Sequence, residues 1–133
     1  MQIKKTRTIL FVILLLILAA CTPQSPPEDS LVGTLAPNFE LDNTLGGKTA
    51  LSDYSGTPVL LFFHMAVGWP PCMQQIVDLQ NSSEFQALNV QVISIARDTV
   101  EEMALEAQDL GITSVPVLSD PELKASAEYD VLQ

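Results

Sequence analysis

The chain has 133 residues, room for one domain at most, with nine prolines, one tryptophan, one histidine and two cysteines. Sixteen acids against six basic residues give a formal net charge of −10 at pH 7, which excludes nucleic acid as a partner, because phosphates need cations. Two cysteines also exclude a disulfide framework as the source of stability.

The first segment, "MQIKKTRTILFVILLLILAAC", places Lys4, Lys5 and Arg7 before an apolar run from Ile9 to Ala20. This is the basic and short apolar pattern of a secretion signal. A membrane-spanning helix needs roughly twenty apolar residues, and this run is shorter. "LAAC" (Leu18 to Cys21) resembles the bacterial lipobox, which implies cleavage before Cys21 and lipidation of its thiol; ordinary cleavage at an A-x-A-like site is the alternative. Several acyl chains would hold the protein at a membrane surface. Without the signal, Lys48, Arg97 and Lys124 alone face the sixteen acids, so lipid rather than charge would do the anchoring. Residues 1–21 are thus expected to be a lipoprotein signal peptide and the mature protein an exported one, anchored to a membrane of the cell envelope. "TPQSPPEDS" lacks apolar periodicity, so residues 22–35 read as a disordered tether.

The domain is expected over residues 36–133. Two short strands, Phe39–Leu41 and Thr49–Leu51, flank a turn from Asn43 to Gly47 whose Gly46-Gly47 is a hairpin signal. "PVLLFF" (58–63) is apolar throughout, as in a strand buried on both faces, and so calls for a neighbour on each side. From Pro70 the period becomes helical, with Met73, Ile76, Val77 and Leu79 on one side, as far as about Leu88. "VQVISIA" (90–96) predicts a second strand beside the first. Thr99 as N-cap and Gly111 as stop bound a helix with a Val100, Met103, Ala104 and Ala107 stripe. "VPVLSD" (115–120) predicts a short strand, and Pro121 to Tyr129 the start of another helix. Alternating strands and helices imply parallel pairing in an α/β fold.

"GWPPC" (68–72) stands where a buried strand meets a helix. Pro70 and Pro71 fit a helix's first turn, where a missing N–H costs nothing. Cys72 then lies at the positive end of the helix dipole, where free N–H groups would favour a thiolate. A cysteine inside an apolar core would instead be inert. His64, the only histidine, directly follows the buried strand with no partner acid indicated, and a structural role is expected for it. A lone histidine cannot build a zinc site with one cysteine. Met65 and Met73 are expected to pack rather than to bind copper, and Asp98, Glu101 and Glu102 to complement a helix dipole.

Residues 33–133 resemble the redoxin group of the thioredoxin superfamily, which includes peroxiredoxins of the alkyl hydroperoxide reductase and thiol-specific antioxidant type. "VGTLAPNFEL" looks like their "G-x-x-A-P-x-F-x-L", and "LSDYSGTPVLLFF" like the strand that follows. "VQVISIARDTVEE" and "VPVLSDPELKASAEYDV" resemble later segments, and Cys72 follows Phe63 at the spacing of the peroxidatic cysteine. The resemblance implies a thioredoxin-like fold with a central mixed sheet, and thiol chemistry at Cys72 with Trp69, Pro70 and Pro71 as its neighbours. Cys72 would attack a peroxide, and an external thiol would reduce the sulfenic acid. No cofactor or metal is expected. The partners would be a peroxide or disulfide substrate, the thiol reductant and, through the lipid, a membrane.

Three departures bear on that expectation. The family's P-x-x-x-[T/S]-x-x-C falls on Met65, Trp69 and Cys72, so the threonine hydroxyl is absent. In related C-x-x-C redoxins, Trp69 stands where the attacking cysteine belongs. Family members also continue past the "Y-x-V" segment with a hairpin and a final helix that carry a cis-proline and an arginine. The chain stops at Gln133, so those parts are expected to be missing, and neither Pro116 nor Arg97 matches the missing residues. Two other functions stay open: a thiol–disulfide exchanger that has lost its first cysteine at Trp69, and a non-enzymatic surface lipoprotein that keeps the fold as a binding module.

Overall fold

The computed structural model describes residues 31–65 and 68–132. The signal segment, Cys21 and most of the tether lie outside the described residues. Leu35–Gln133 forms one unit, in which five strands build a mixed sheet.

Strand β1 (Glu40–Asn43) pairs antiparallel with β2 (Lys48–Ala50), with Glu40 opposite Ala50 and Asp42 opposite Lys48. The turn between them closes through Asn43 N–H to Gly47 O at 2.9 Å. It passes through φ +100° at Gly46 and +72° at Gly47, which a side chain would strain. Buried Asn43 also donates its amide to Thr49 Oγ1 at 2.9 Å and so locks the hairpin's register.

Strand β3 (Val59–Phe63) runs parallel to β4 (Gln91–Ala96), from Val59 opposite Gln91 to Phe63 opposite Ile95. Strand β5 (Val117–Ser119) runs parallel to β4 and antiparallel to β1, so the order is β2-β1-β5-β4-β3. The buried interior strands are therefore β5 and β4 rather than "PVLLFF". Among the described residues β3 has one neighbour, Leu60 is 37 % exposed, and the rest of the strand is half-buried.

Each face of β4 packs a different layer. Val92 and Ala96 meet Met73, Ile76, Met103, Ala107, Ile112, Val115 and Val117, most of them from helices α1 (Pro70–Asn81) and α3 (Val100–Asp109). On the other face Ile93 and Ile95 pack with Phe39, Leu118 and Ala125. Tyr129 closes that layer: its ring contacts Phe39 and Phe63, and its hydroxyl donates to Pro37 O at 2.7 Å. The Pro37–Phe39 and Tyr129 motif residues thus meet across the whole domain.

The helix expected to reach Leu88 stops at Asn81. Ser82 leaves the helical conformation (φ −76°, ψ 111°) and accepts from Phe85 N–H at 3.1 Å, starting the short helix α2 (Ser83–Gln86). Helix α3 has the predicted ends. Thr99 Oγ1 and the Glu102 carboxylate exchange bonds with each other's backbone N–H, and Gly111 at φ +68° ends the helix with Ile112 N–H on Ala107 O at 2.8 Å. Helix α4 (Lys124–Glu128) begins three residues later than Pro121. Buried Asp120 accepts from Lys124 N–H and Ser126 N–H, each at 2.9 Å, and from the Ser126 hydroxyl at 2.8 Å.

Candidate active site

The carboxyl end of β3 leads into the first turn of α1. The ladder to β4 extends one residue past β3, because His64 N–H donates to Ile95 O at 3.0 Å. Met73 and Ile76, 1 % and 0 % exposed, pin the start of α1 into the core. Between these anchors, Gly68 takes φ +81°, a left-handed value suited to glycine, and Trp69 is the N-cap residue.

Pro70, Pro71 and Cys72 are the first three helical residues, as the sequence predicts, and the Cys72 thiol is free and half-buried. The expected free donors are not there. The two prolines have no N–H, and that of Cys72 donates to Trp69 O at 3.1 Å. What the turn offers a thiolate is the orientation of the helix end. Trp69 is 52 % exposed and makes no side-chain cap. Met65, expected to pack, is 64 % exposed, whereas Met73 is buried as expected.

Two clefts flank this region. One of about 570 Å³ is lined by Pro70, Pro71, Gln74, Glu106, Asp109 and Leu110. Glu106 of α3 reaches across it, and its carboxylate accepts from Gly68 N–H at 3.2 and 3.4 Å. The other, about 440 Å³, sits at the carboxyl ends of β3 and β4 and takes in His64, Met65, Arg97 and Ser126. Arg97 is exposed and makes no ion pair among the described residues.

His64 stacks on Phe62, and its Nε2 lies 2.9 Å from Ser94 Oγ. Its Nδ1 is buried without a hydrogen-bond partner. Burial pushes the imidazole below its ordinary 6.5, partly offset by the Asp98 carboxylate. Sequence reading missed both Ser94 and Glu106. A serine within the apolar run "QVISIA" is a weak signal for a buried polar partner. Nothing in the helical pattern marks Glu106, which is one residue off the buried stripe.

A family model described as AhpC/TSA matches residues 32–133. The chain belongs to the AhpC/TSA family. Among relatives in this family, the putative peroxiredoxin bcp of Haemophilus influenzae is 33 % identical over 103 residues, covering 75 % of this chain and 64 % of the relative. Peroxiredoxin prdx-2 of Caenorhabditis elegans is 31 % identical, covering 78 % and 57 %. The chain therefore spans less than two thirds of the length of these relatives. Among solved structures, peroxidoxin BcpB of Mycobacterium tuberculosis superposes with a TM-score of 0.65 at 28 % identity, over 74 % of this chain and 64 % of that one. A yeast mitochondrial 1-Cys peroxiredoxin, whose structure concerns thiol resolution through glutathione and thioredoxin systems, gives 0.64 at 28 %, over 73 % and 49 %. The AhpC/TSA chain has the thioredoxin-like α/β fold that the sequence predicts.

Proposed function

We propose that this chain reduces peroxides through Cys72, with an external thiol as reductant. The observation that supports it is the position of Cys72: a half-buried thiol in the first turn of the helix that follows β3, in a peroxiredoxin-family fold. The Cys72 thiolate attacks one peroxide oxygen. An S–O bond forms, the O–O bond breaks, and the departing oxyanion takes a proton from solvent as water or an alcohol. Sulfur is oxidised to the sulfenic acid. An external thiol then attacks that sulfur and water leaves, giving a mixed disulfide. A second thiol displaces Cys72 and carries away the other half as a disulfide. Cys72 is the only cysteine among the described residues, so both reducing thiols come from outside it. Trp69 brings no hydroxyl to the peroxide, and turnover is slow in consequence.

Peroxide treatment followed by a sulfenic-acid trap tests the reading. One trapped adduct at Cys72, absent in Cys72→Ser, is expected. A Cys72 that stays unmodified in the native protein and labels only after denaturation would make the chain a non-enzymatic binding module. The disulfide-exchange reading draws on a likeness to a putative protein disulfide isomerase of Bacteroides thetaiotaomicron, with a TM-score of 0.61 at 25 % identity. A stable mixed disulfide with oxidised glutathione, and no sulfenic acid with peroxide, would favour it.

The "LAAC" sequence further supports export as a lipoprotein held at a membrane through Cys21. Among the described residues no helix is long and apolar enough to cross a membrane. Cys21→Ser is expected to release the protein from membranes or leave the precursor uncleaved. Membrane partitioning of a cleaved Cys21→Ser protein, unchanged from the parent, overturns the anchor.

A further inference from the structure

We infer that Glu106 is a positioning residue for Cys72: its carboxylate latches the turn that carries the thiol. The inference rests on the reading of Cys72 as nucleophile, but the latch itself can be measured apart from it. Glu106 lies on α3, and its Oε1 and Oε2 accept from Gly68 N–H at 3.4 and 3.2 Å. Gly68 stands four residues before Cys72, at φ +81°. Among the described residues from Met65 to Pro71, no other hydrogen bond reaches a separate element; that from Cys72 N–H to Trp69 O lies inside the turn itself. Pro70 and Pro71 have no N–H to donate, so neither can replace the latch. Among the described residues, the turn is held from the core side by Met73 and Ile76 and from the solvent side by the Glu106 carboxylate.

A charged acceptor makes a stronger bond to a backbone N–H than a neutral one does, and this bond fixes the direction from which α1 begins. Reaction with a peroxide needs the sulfur and both peroxide oxygens nearly in line, the far oxygen departing as the oxyanion, so a turn free to swing loses rate through orientation. The effect runs through the backbone, since Glu106 meets Gly68 and not the thiol. A neutral acceptor of the same length therefore keeps it, whereas loss of the acceptor does not.

The chain carries its own reporter. Trp69 is the only tryptophan and directly follows Gly68. In full-length protein, Glu106→Ala is expected to lower the time-resolved fluorescence anisotropy of Trp69 and to slow oxidation of Cys72 by hydrogen peroxide about tenfold. Glu106→Gln, which keeps an oxygen for Gly68 N–H, should stay within about threefold of the parent in rate and match its anisotropy. Parental anisotropy and rate in Glu106→Ala overturn the latch, and so does a Glu106→Gln as impaired as Glu106→Ala, which would make the charge the cause. Anisotropy that separates the two variants in a protein whose Cys72 resists peroxide upholds the latch and removes the peroxidase reading. Amide exchange at Gly68 in the unmutated chain needs no variant. Protection well above an open loop is expected there, and exchange at the unprotected rate overturns the latch.

Discussion

Pro70 and Pro71 set the helix start by removing two donors from it, and the same removal thins the anion-binding character of the turn in which Cys72 sits. Among the described residues, a buried side-chain atom without a partner belongs instead to His64, whose Nδ1 makes no hydrogen bond there and whose Nε2 meets Ser94. Its folded pKa lies below the ordinary 6.5, so the fold favours the neutral ring. The sign follows from linkage: this contribution is fully present above 6.5 and is lost as pH falls from there through the depressed folded value. The melting temperature should drop on acidification from 6.5 to about 5, and drop less in His64→Phe, with thermal denaturation as the check. Equal slopes in both proteins would show that His64 protonates freely in the folded state. At this scale the place of Cys72 was legible, because prolines, strand end and cysteine coincide in sequence. Ser94 and Glu106 were not, since a partner thirty or more residues away leaves no local pattern.

Elements were easier to read where a cap or a glycine marks them. Thr99, Glu102 and Gly111 bound α3 as expected, and Gly46-Gly47 turn the hairpin. Apolar periodicity carried the first long helix too far, because Phe85 and Leu88 lie three apart, at helical spacing, while Ser82 caps a new start. The break lets α1 end beside the approach to β5. Gln80 there donates to Gly111 O at 2.9 Å and accepts from Thr113 N–H and Ser114 N–H at 2.8 and 3.0 Å. One side chain thus satisfies three backbone groups of a loop that would otherwise rely on water. Gln80→Ala is expected to cost about 1–2 kcal/mol, discounted for the exposure of these bonds, and to raise amide exchange at Thr113 and Ser114. Urea unfolding with an unchanged midpoint would mean that solvent replaces the clamp without loss.

Among the described residues, the sheet leaves β3 paired on one side only. Along that open edge runs a stretch of five apolar residues, with Val59, Leu61 and Phe63 half-buried on one face and Leu60 exposed on the other. Such an edge is a template for a further strand. The sequence led to an open side because an all-apolar strand next to one partner implies a second. Purified protein should therefore associate, and Leu60→Lys should raise the monomer fraction measured by light scattering. A monomeric parent with a cooperative melt above about 50 °C would show that the edge is closed some other way. The strand order has a temporal side as well. The hairpin made first in the chain, β1–β2, joins the sheet only through β5, by Asp42 opposite Ser119. A chain emerging end-first from a ribosome can close β3 on β4 early, yet its leading hairpin must wait until β5 has arrived. Such long-range closure is slow, and pulse-labelled exchange during refolding should protect Leu61 and Ile93 before Asp42. Simultaneous protection would mean that the hairpin finds its place in the same step as the rest.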